Sequence, residues 1–186
     1  VLEKMKERFH VEVNTEPPKI AYKETIQGKA EGHHRHKKQS GGAGQFGEVF
    51  LRIEPKERGE GFEFSNETFG GSIPAAFIPA IEKGIRLVME TGCIAGYPMQ
   101  DIKVSVYDGK HHPVDSKEVA FVNAGKRAFI KAVMNAGPAV LEPIVNMEVN
   151  VPEVNMGDIA GDLSGKRGRI TGTDTLPGDM LCIRAQ

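Results

Sequence analysis

Tryptophan is missing from this 186-residue chain, cysteine occurs only twice, and no apolar run approaches the roughly eighteen residues a membrane helix needs. The last absence argues against a helical membrane span, and the charged, amphipathic residues 1–10 do not read as a secretory signal. Cys93 and Cys182 stand far apart and in no metal-ligand spacing, so a reduced, cytoplasmic protein with two small apolar thiols is expected. Charge of one sign is also lacking: 24 basic and 25 acidic residues give a formal net charge of -1. The chain as a whole therefore does not advertise nucleic-acid binding. Screening confines a charge's reach to about 10 Å at moderate salt, so local patches have to be sought segment by segment. What is present is ordinary for a globular protein, 39% hydrophobic and 26% charged, and rich in turn formers, with 22 glycines and 11 prolines. The length suits one sizeable domain or one domain with fragments beside it, and the leading valine suggests a piece of something longer.

Leu2, Met5 and Phe9 recur at helical spacing among charges, as at the end of an amphipathic helix. Val11 and Val13 flank Glu12 as in a short strand, and Pro17-Pro18 makes a stiff joint and a domain boundary. Ile20, Tyr22 and Thr25 occupy a β-prone stretch, while Val49, Leu51 and Ile53 alternate with Glu48, Arg52 and Glu54. These read as two strands joined by a long polar loop, residues 28–47. Phe62 and Phe64 mark a third strand. Ile81, Ile85 and Val88 fall at i, i+4 and i+7, which predicts a helix over residues 78–90 that Gly92 ends. Ile102, Val104 and Val106 make a fourth strand. A second helix is expected over residues 116–135, capped by Asp115 or Ser116 with Glu118 placed for a reciprocal bond, and stopped by Gly137-Pro138. Its stripe of Phe121, Gly125, Ala128, Phe129, Ala132 and Val133 suggests close packing. The remaining residues read strand, helix, strand, strand, and the lack of a closing helix before Gln186 suggests a truncated module.

Three segments carry chemistry. Residues 28–47 hold four bases, one acid, three histidines and six glycines. Glycines let a backbone approach a ligand closely, with N–H groups free for phosphate or 2′-hydroxyl oxygens, and Lys37 and Lys38 add charge beside them. The alternative is a solvated hairpin tip. The spacing of a phosphate-binding loop is absent. His33, His34 and His36 raise a metal site, but on a mobile loop they do not converge and no cysteine or carboxylate cluster accompanies them. Residues 108–115, DGKHHPVD, join the fourth strand to the second helix, where His111 or His112 could meet a ribose or stack on a base. A His–Asp pair with Asp115 is conceivable, yet no nucleophile suggests itself. Lys166, Arg167 and Arg169 place three positive charges in four residues within a stretch, residues 140–186, of seven acids and four bases. Phosphate contact and solvated charge are both open there.

Taken in order, AYKETI at residues 21–26, KKQSGGAGQFGEV at 37–49, GGSIPAAFIPAIEKGI at 70–85, AGYPMQDIKVSVYDG at 95–109, VDSKEVAF at 114–121 and LEPIVNMEVNVPEVNMGDIAGDLSGKRG at 141–168 resemble the elongation factor G family over nearly the whole chain. The resemblance implies an α+β fold with three parts. Residues 1–17 would end domain III. Residues 18–138 would form domain IV, similar to the second domain of ribosomal protein S5 with its left-handed βαβ crossover. Residues 139–186 would be a truncated, ferredoxin-like part of domain V.

The resemblance further implies a non-catalytic lever whose tip enters the ribosomal decoding site and contacts the tRNA–mRNA duplex. Lys37, Lys38, Gln39, Ser40, Gly41, Gly42 and Gln45 map to one tip loop, and His111 and His112 to the other. Lys166 and Arg167 are further candidates for ribosomal RNA contact. The implied partners are the ribosome and the amino-terminal GTPase domains of the same protein, with no membrane. GTP and magnesium would belong to the full-length parent, and no cofactor or metal to this piece. Pro113 stands where the family's tip histidine is usually followed by an acid, and GHHRHKK is unusually rich in histidine. Both departures favour a paralogue, with ribosome recycling or ribosome protection as alternatives to translocation; a histidine-based metal-binding domain is the alternative of another class.

Overall fold

The computed structural model describes residues 2–39, 42 and 44–186. They form two compact units, residues 1–142 and 143–186. The first begins with a short helix α1 (Leu2–Phe9) that buries no residue. Residues 10–22 contain no regular element, so the strand expected at Val11 and Val13 does not form. Both valines are exposed, and no apolar partner pairs their alternation.

The body of this unit is a four-stranded sheet in the order β2-β3-β5-β4, built from β2 (Ala30–Lys38), β3 (Gln45–Pro55), β4 (Phe62–Asn66) and β5 (Ile102–Lys110). Neighbours are antiparallel except β4 and β5, which are parallel and joined through α2 (Ile78–Thr91) as a βαβ unit. Alternation dictates the buried face: Val49, Leu51 and Ile53 on β3 and Ile102, Val104 and Val106 on β5 are fully covered. Over them lie α2, with Ile81, Ile85 and Val88, and α3 (Glu118–Asn135), with Phe121, Ala128, Phe129 and Val133. Burying each large side chain here contributes roughly 1.5–3 kcal/mol. Gly84 of α2 and Gly125 of α3 let the two helix backbones touch, since a Cβ on Gly84 would sit 2.2 Å from the Val122 carbonyl oxygen. Gly92 ends α2 at φ 71, as its position suggested. After α3, Gly137 turns the chain at φ 66 into β6 (Pro138–Leu141), which pairs with β1 (Lys23–Ile26) in a separate two-stranded sheet.

Residues 28–47 are not one loop: residues 30–38 form β2 and residues 45–47 begin β3, paired from Ala30↔Ile53 to Lys38↔Gln45. Basic and histidine side chains suit this edge strand because its outer side faces solvent, and Gly32 is its buried residue, with Ala30 also packed against the core. Nor do Asp115 and Ser116 cap α3. Lys117 occupies that position without a side-chain cap, because the Ser116 hydroxyl is engaged elsewhere.

The second unit holds a three-stranded antiparallel sheet in the order β7-β9-β8, from β7 (Met147–Pro152), β8 (Ile170–Leu176) and β9 (Met180–Ala185). Helix α4 (Met156–Gly165) packs Leu163 against Ile183 and Ala185. The turn expected at Gly168 is made one residue earlier, by Arg167 at φ 65. The Gly168 N–H closes it onto the Leu163 carbonyl at 2.7 Å. Among the described residues no helix is long and apolar enough to cross a membrane.

Candidate nucleic-acid interface

Strand directions bring the candidate residues of the first unit to one end. β2 runs out to Lys38, β3 returns from Gln45, β5 runs out to Lys110, and α3 starts back at Glu118. Two connections therefore share that end: residues 39–44 of the β2–β3 hairpin and residues 111–117 between β5 and α3.

They are bonded to each other. The Phe46 N–H donates to the Asp115 carbonyl at 2.9 Å, and the Ser116 hydroxyl donates to the Phe46 carbonyl at 3.0 Å. Gly44 is buried against Asp115, whose carboxylate a Cβ there would meet at 2.9 Å. The same Ser116 oxygen accepts the His112 N–H at 2.8 Å. Ser116→Ala should cost about 1–2 kcal/mol and speed amide exchange at His112 severalfold; unchanged exchange would show that the hydroxyl does not brace the loop.

His112 is half-exposed and its ring is held by its own loop. Nδ1 accepts the Val114 N–H at 3.3 Å and the Asp115 N–H at 3.1 Å. The Asp115 carboxylate lies 3.6 Å from the same nitrogen. The two N–H contacts are the shorter, so the neutral ring carries its proton on Nε2 and offers that N–H as a donor. A Ser–His–Asp constellation is not formed: Ser116 gives its proton to Phe46 and faces the backbone of His112, not its imidazole. His36 Nε2 meets Gln45 Oε1 at 2.9 Å, leaving the Gln45 amide N–H groups as donors. His111 Nδ1 reaches the Ser72 carbonyl at 3.2 Å, bringing in the connection after β4.

Charge at this end is positive. Lys37, Lys38, Lys110 and Lys117 are exposed and, among the described residues, form no ion pair. Gln39 and Gly42 are exposed beside them. Ser40 and Gly41, the other two residues expected in the hairpin tip, lie outside the described residues. Arg35 is engaged lower on β2, where it and His33 contact the buried Glu48 carboxylate at 3.1 and 2.7 Å. Burial alone would raise the Glu48 pKa, but these two partners together hold it below the usual carboxylate range.

Strand alternation separates His33 from His34 and His36. His33 stacks on Phe50 at 4.1 Å on the outer face, whereas His34 and His36 turn the other way. Burial first, then Lys131 and Arg127 of α3, lower the His34 pKa. Among the described residues no group of three or more His, Cys, Asp or Glu side chains is arranged to hold a metal ion.

Lys166 and Arg167 belong to the second unit. Lys166 pairs with Asp162 one turn back at 2.6 Å, so its charge is partly satisfied within α4.

Comparison with known proteins divides the chain a few residues before the boundary between the units. The profile of elongation factor G, domain IV, matches residues 18–137, and that of the elongation factor G C-terminus matches residues 139–186. A crystal structure from Thermus thermophilus superposes with a TM-score of 0.84 at 41% identity, over 99% of this chain and 28% of that one. The chain thus spans little more than a quarter of that relative's length. With both profiles and the fold in agreement, the chain belongs to the elongation factor G family.

Proposed function

We propose that the first unit is the RNA-facing tip of a translational GTPase, entering the decoding site of the small ribosomal subunit during movement of tRNA and mRNA. The observation that carries this reading is the bonding of residues 44–46 to residues 115–116, which makes two loops into one surface. That surface offers N–H donors from His112 and Gln45 and unpaired positive charge from Lys37, Lys38 and Lys110. Paired RNA presents 2′-hydroxyls and phosphates in a wide, shallow minor groove, and such donors read them whatever the codon. Gln39, Ser40, Gly41, Gly42 and His111 complete the contact set, and Lys166 and Arg167 would meet RNA phosphate from the second unit. GTP and magnesium would be handled by other domains of the whole protein, in the cytoplasm, and this chain would do no catalysis.

In the full-length factor, His112→Ala should slow single-turnover translocation tenfold or more while ribosome-dependent GTP hydrolysis stays within about twofold. Equal loss of both rates would remove the tip from the mechanism. A second reading, ribosome recycling or protection, is favoured by Pro113, which stiffens the chain immediately after His112. Transplanting residues 37–45 and 110–114 into a translocase and timing tRNA movement separates the two: a recycling or protection tip would leave the chimaera slow.

A further inference from the structure

Phe69 is the most exposed large apolar residue described in the molecule, at 93%. Leaving such a ring in water forgoes the gain of burial, and its chain neighbours Thr68, Gly70, Gly71 and Ser72 are small or polar. It sits in residues 67–74, which leave β4 at its carboxyl end. β4 and β5 are parallel, so this connection emerges on the same side as Lys110, His111 and His112.

The connection is braced. The Asn66 carboxamide accepts both the N–H and the hydroxyl of Thr68, at 3.1 and 2.8 Å. Glu67 is paired with Arg52. Gly70 and Gly71 are both left-handed, at φ 66 and 73, a conformation that side-chain-bearing residues rarely adopt. Beyond them, Ser72 bonds His111 through its carbonyl, and Ile73 is buried beneath Gly109, where an added Cβ would lie 2.4 Å from Ile73 Cδ1. The ring is thus held out from a fixed turn that is locked to the β5–α3 connection.

We infer that residues 67–74 form a third contact element of the tip, in which the Phe69 ring stacks on an unpaired RNA base. A protein partner would call for a contiguous apolar surface. A single exposed planar ring at the same end of the sheet as the exposed Lys110 and His111 fits a nucleobase with its phosphate, and such stacking tolerates any base. The inference deepens the proposed function and rests on it.

The test uses the full-length factor on ribosomes. Phe69→Ala should slow translocation about tenfold, the order of one lost base stack. Phe69→Trp should restore the rate, Phe69→Leu should not, and all three should melt within about 2 °C of the parent. A photoreactive phenylalanine analogue at position 69 should crosslink to RNA. If Phe69→Ala is silent while His112→Ala is slow, stacking is overturned and the tip reading stands. Full activity of Phe69→Leu, or crosslinks to ribosomal protein alone, also overturns it. If His112→Ala is silent, the tip reading itself falls.

Discussion

Replacing Glu24 by alanine should cost the first unit about 3–5 kcal/mol and lower its unfolding midpoint by on the order of 10 °C. Glu24 is fully buried on β1, and its carboxylate gathers the backbone of the connection between α2 and β5. One oxygen accepts the N–H groups of Ala95 and Tyr97 at 2.7 and 3.0 Å, the other those of Cys93 and Ile94 at 2.8 and 3.0 Å. Removing the acceptor leaves four backbone donors without their partner, and each donor left unsatisfied costs about 1–3 kcal/mol. Glu24→Gln, which keeps one oxygen, should fall between. The loss is measured by urea unfolding followed by far-UV circular dichroism; a cost for Glu24→Ala below about 1 kcal/mol would refute the argument.

Acidity gives an independent check on the same group. Burial taken alone would raise the Glu24 pKa, but the N–H bonds from Cys93, Ala95, Tyr97 and Ile94 together outweigh it and the native pKa is lowered. A carboxylate lowered in the folded state contributes stability that is fully present above its unfolded pKa, near 4.3. That contribution is lost as pH falls from there through the native value. Wild-type protein should therefore lose stability below about pH 4.3, and Glu24→Gln should show a flatter profile there. Burial, with the Glu24 charge beside it, also pushes the Cys93 thiol up to about 11. Neutralising Glu24 should accordingly speed alkylation of Cys93.

The second large effect is expected at Gly32. A Cβ there would lie 2.1 Å from the Ala128 carbonyl oxygen and 2.9 Å from the Ala132 side chain. Neither can yield, because both sit on the buried face of α3. Gly32→Ala should force α3 off β2 and cost about 3 kcal/mol, the upper range for overpacking. A change within about 0.5 kcal/mol, the ordinary scatter of a surface substitution, would mean that β2 is not seated against the helix. Gly84→Ala is a subtler case: alanine gains about 1 kcal/mol of helix propensity, but the Val122 carbonyl at 2.2 Å should reverse the sign.

These sites show where sequence reasoning succeeded and where it stopped. The strands and helices of the core were legible because Ile102, Val104 and Val106 alternate and Ile81, Ile85 and Val88 keep helical spacing, so burial imposes a period. β2 was not legible. Its side chains are mostly histidine, lysine and arginine, and it meets the core through Ala30 and Gly32, which are too small to carry a hydrophobic signal. Glycines taken as room for a ligand are largely room for protein: Gly32 admits α3, Gly44 admits Asp115, and Gly47 lies against Phe121. Glu24 gave no sign of burial, since an isolated acid in a β-prone stretch ordinarily faces water. β6 was too short to show a period after Gly137-Pro138. The position of His112 could be placed from a loop between strand and helix, while the assignment of its role came from family resemblance. Phe69 carries no sequence signal, because exposure of a single aromatic is invisible without coordinates.

β1 and β6 also have a mechanical meaning. Lys23 lies opposite Leu141 in their antiparallel pair, with backbones about 5 Å apart, so everything between passes through one narrow doorway. Tension applied at those two points would load the rungs of this pair one after another, like a zipper, and would meet the buried Glu24 at the second rung. A body closed in this way is also suited to grafting: residues 23–141 could be spliced into a surface turn of an unrelated carrier, whose two stumps need only be as close as adjacent strands.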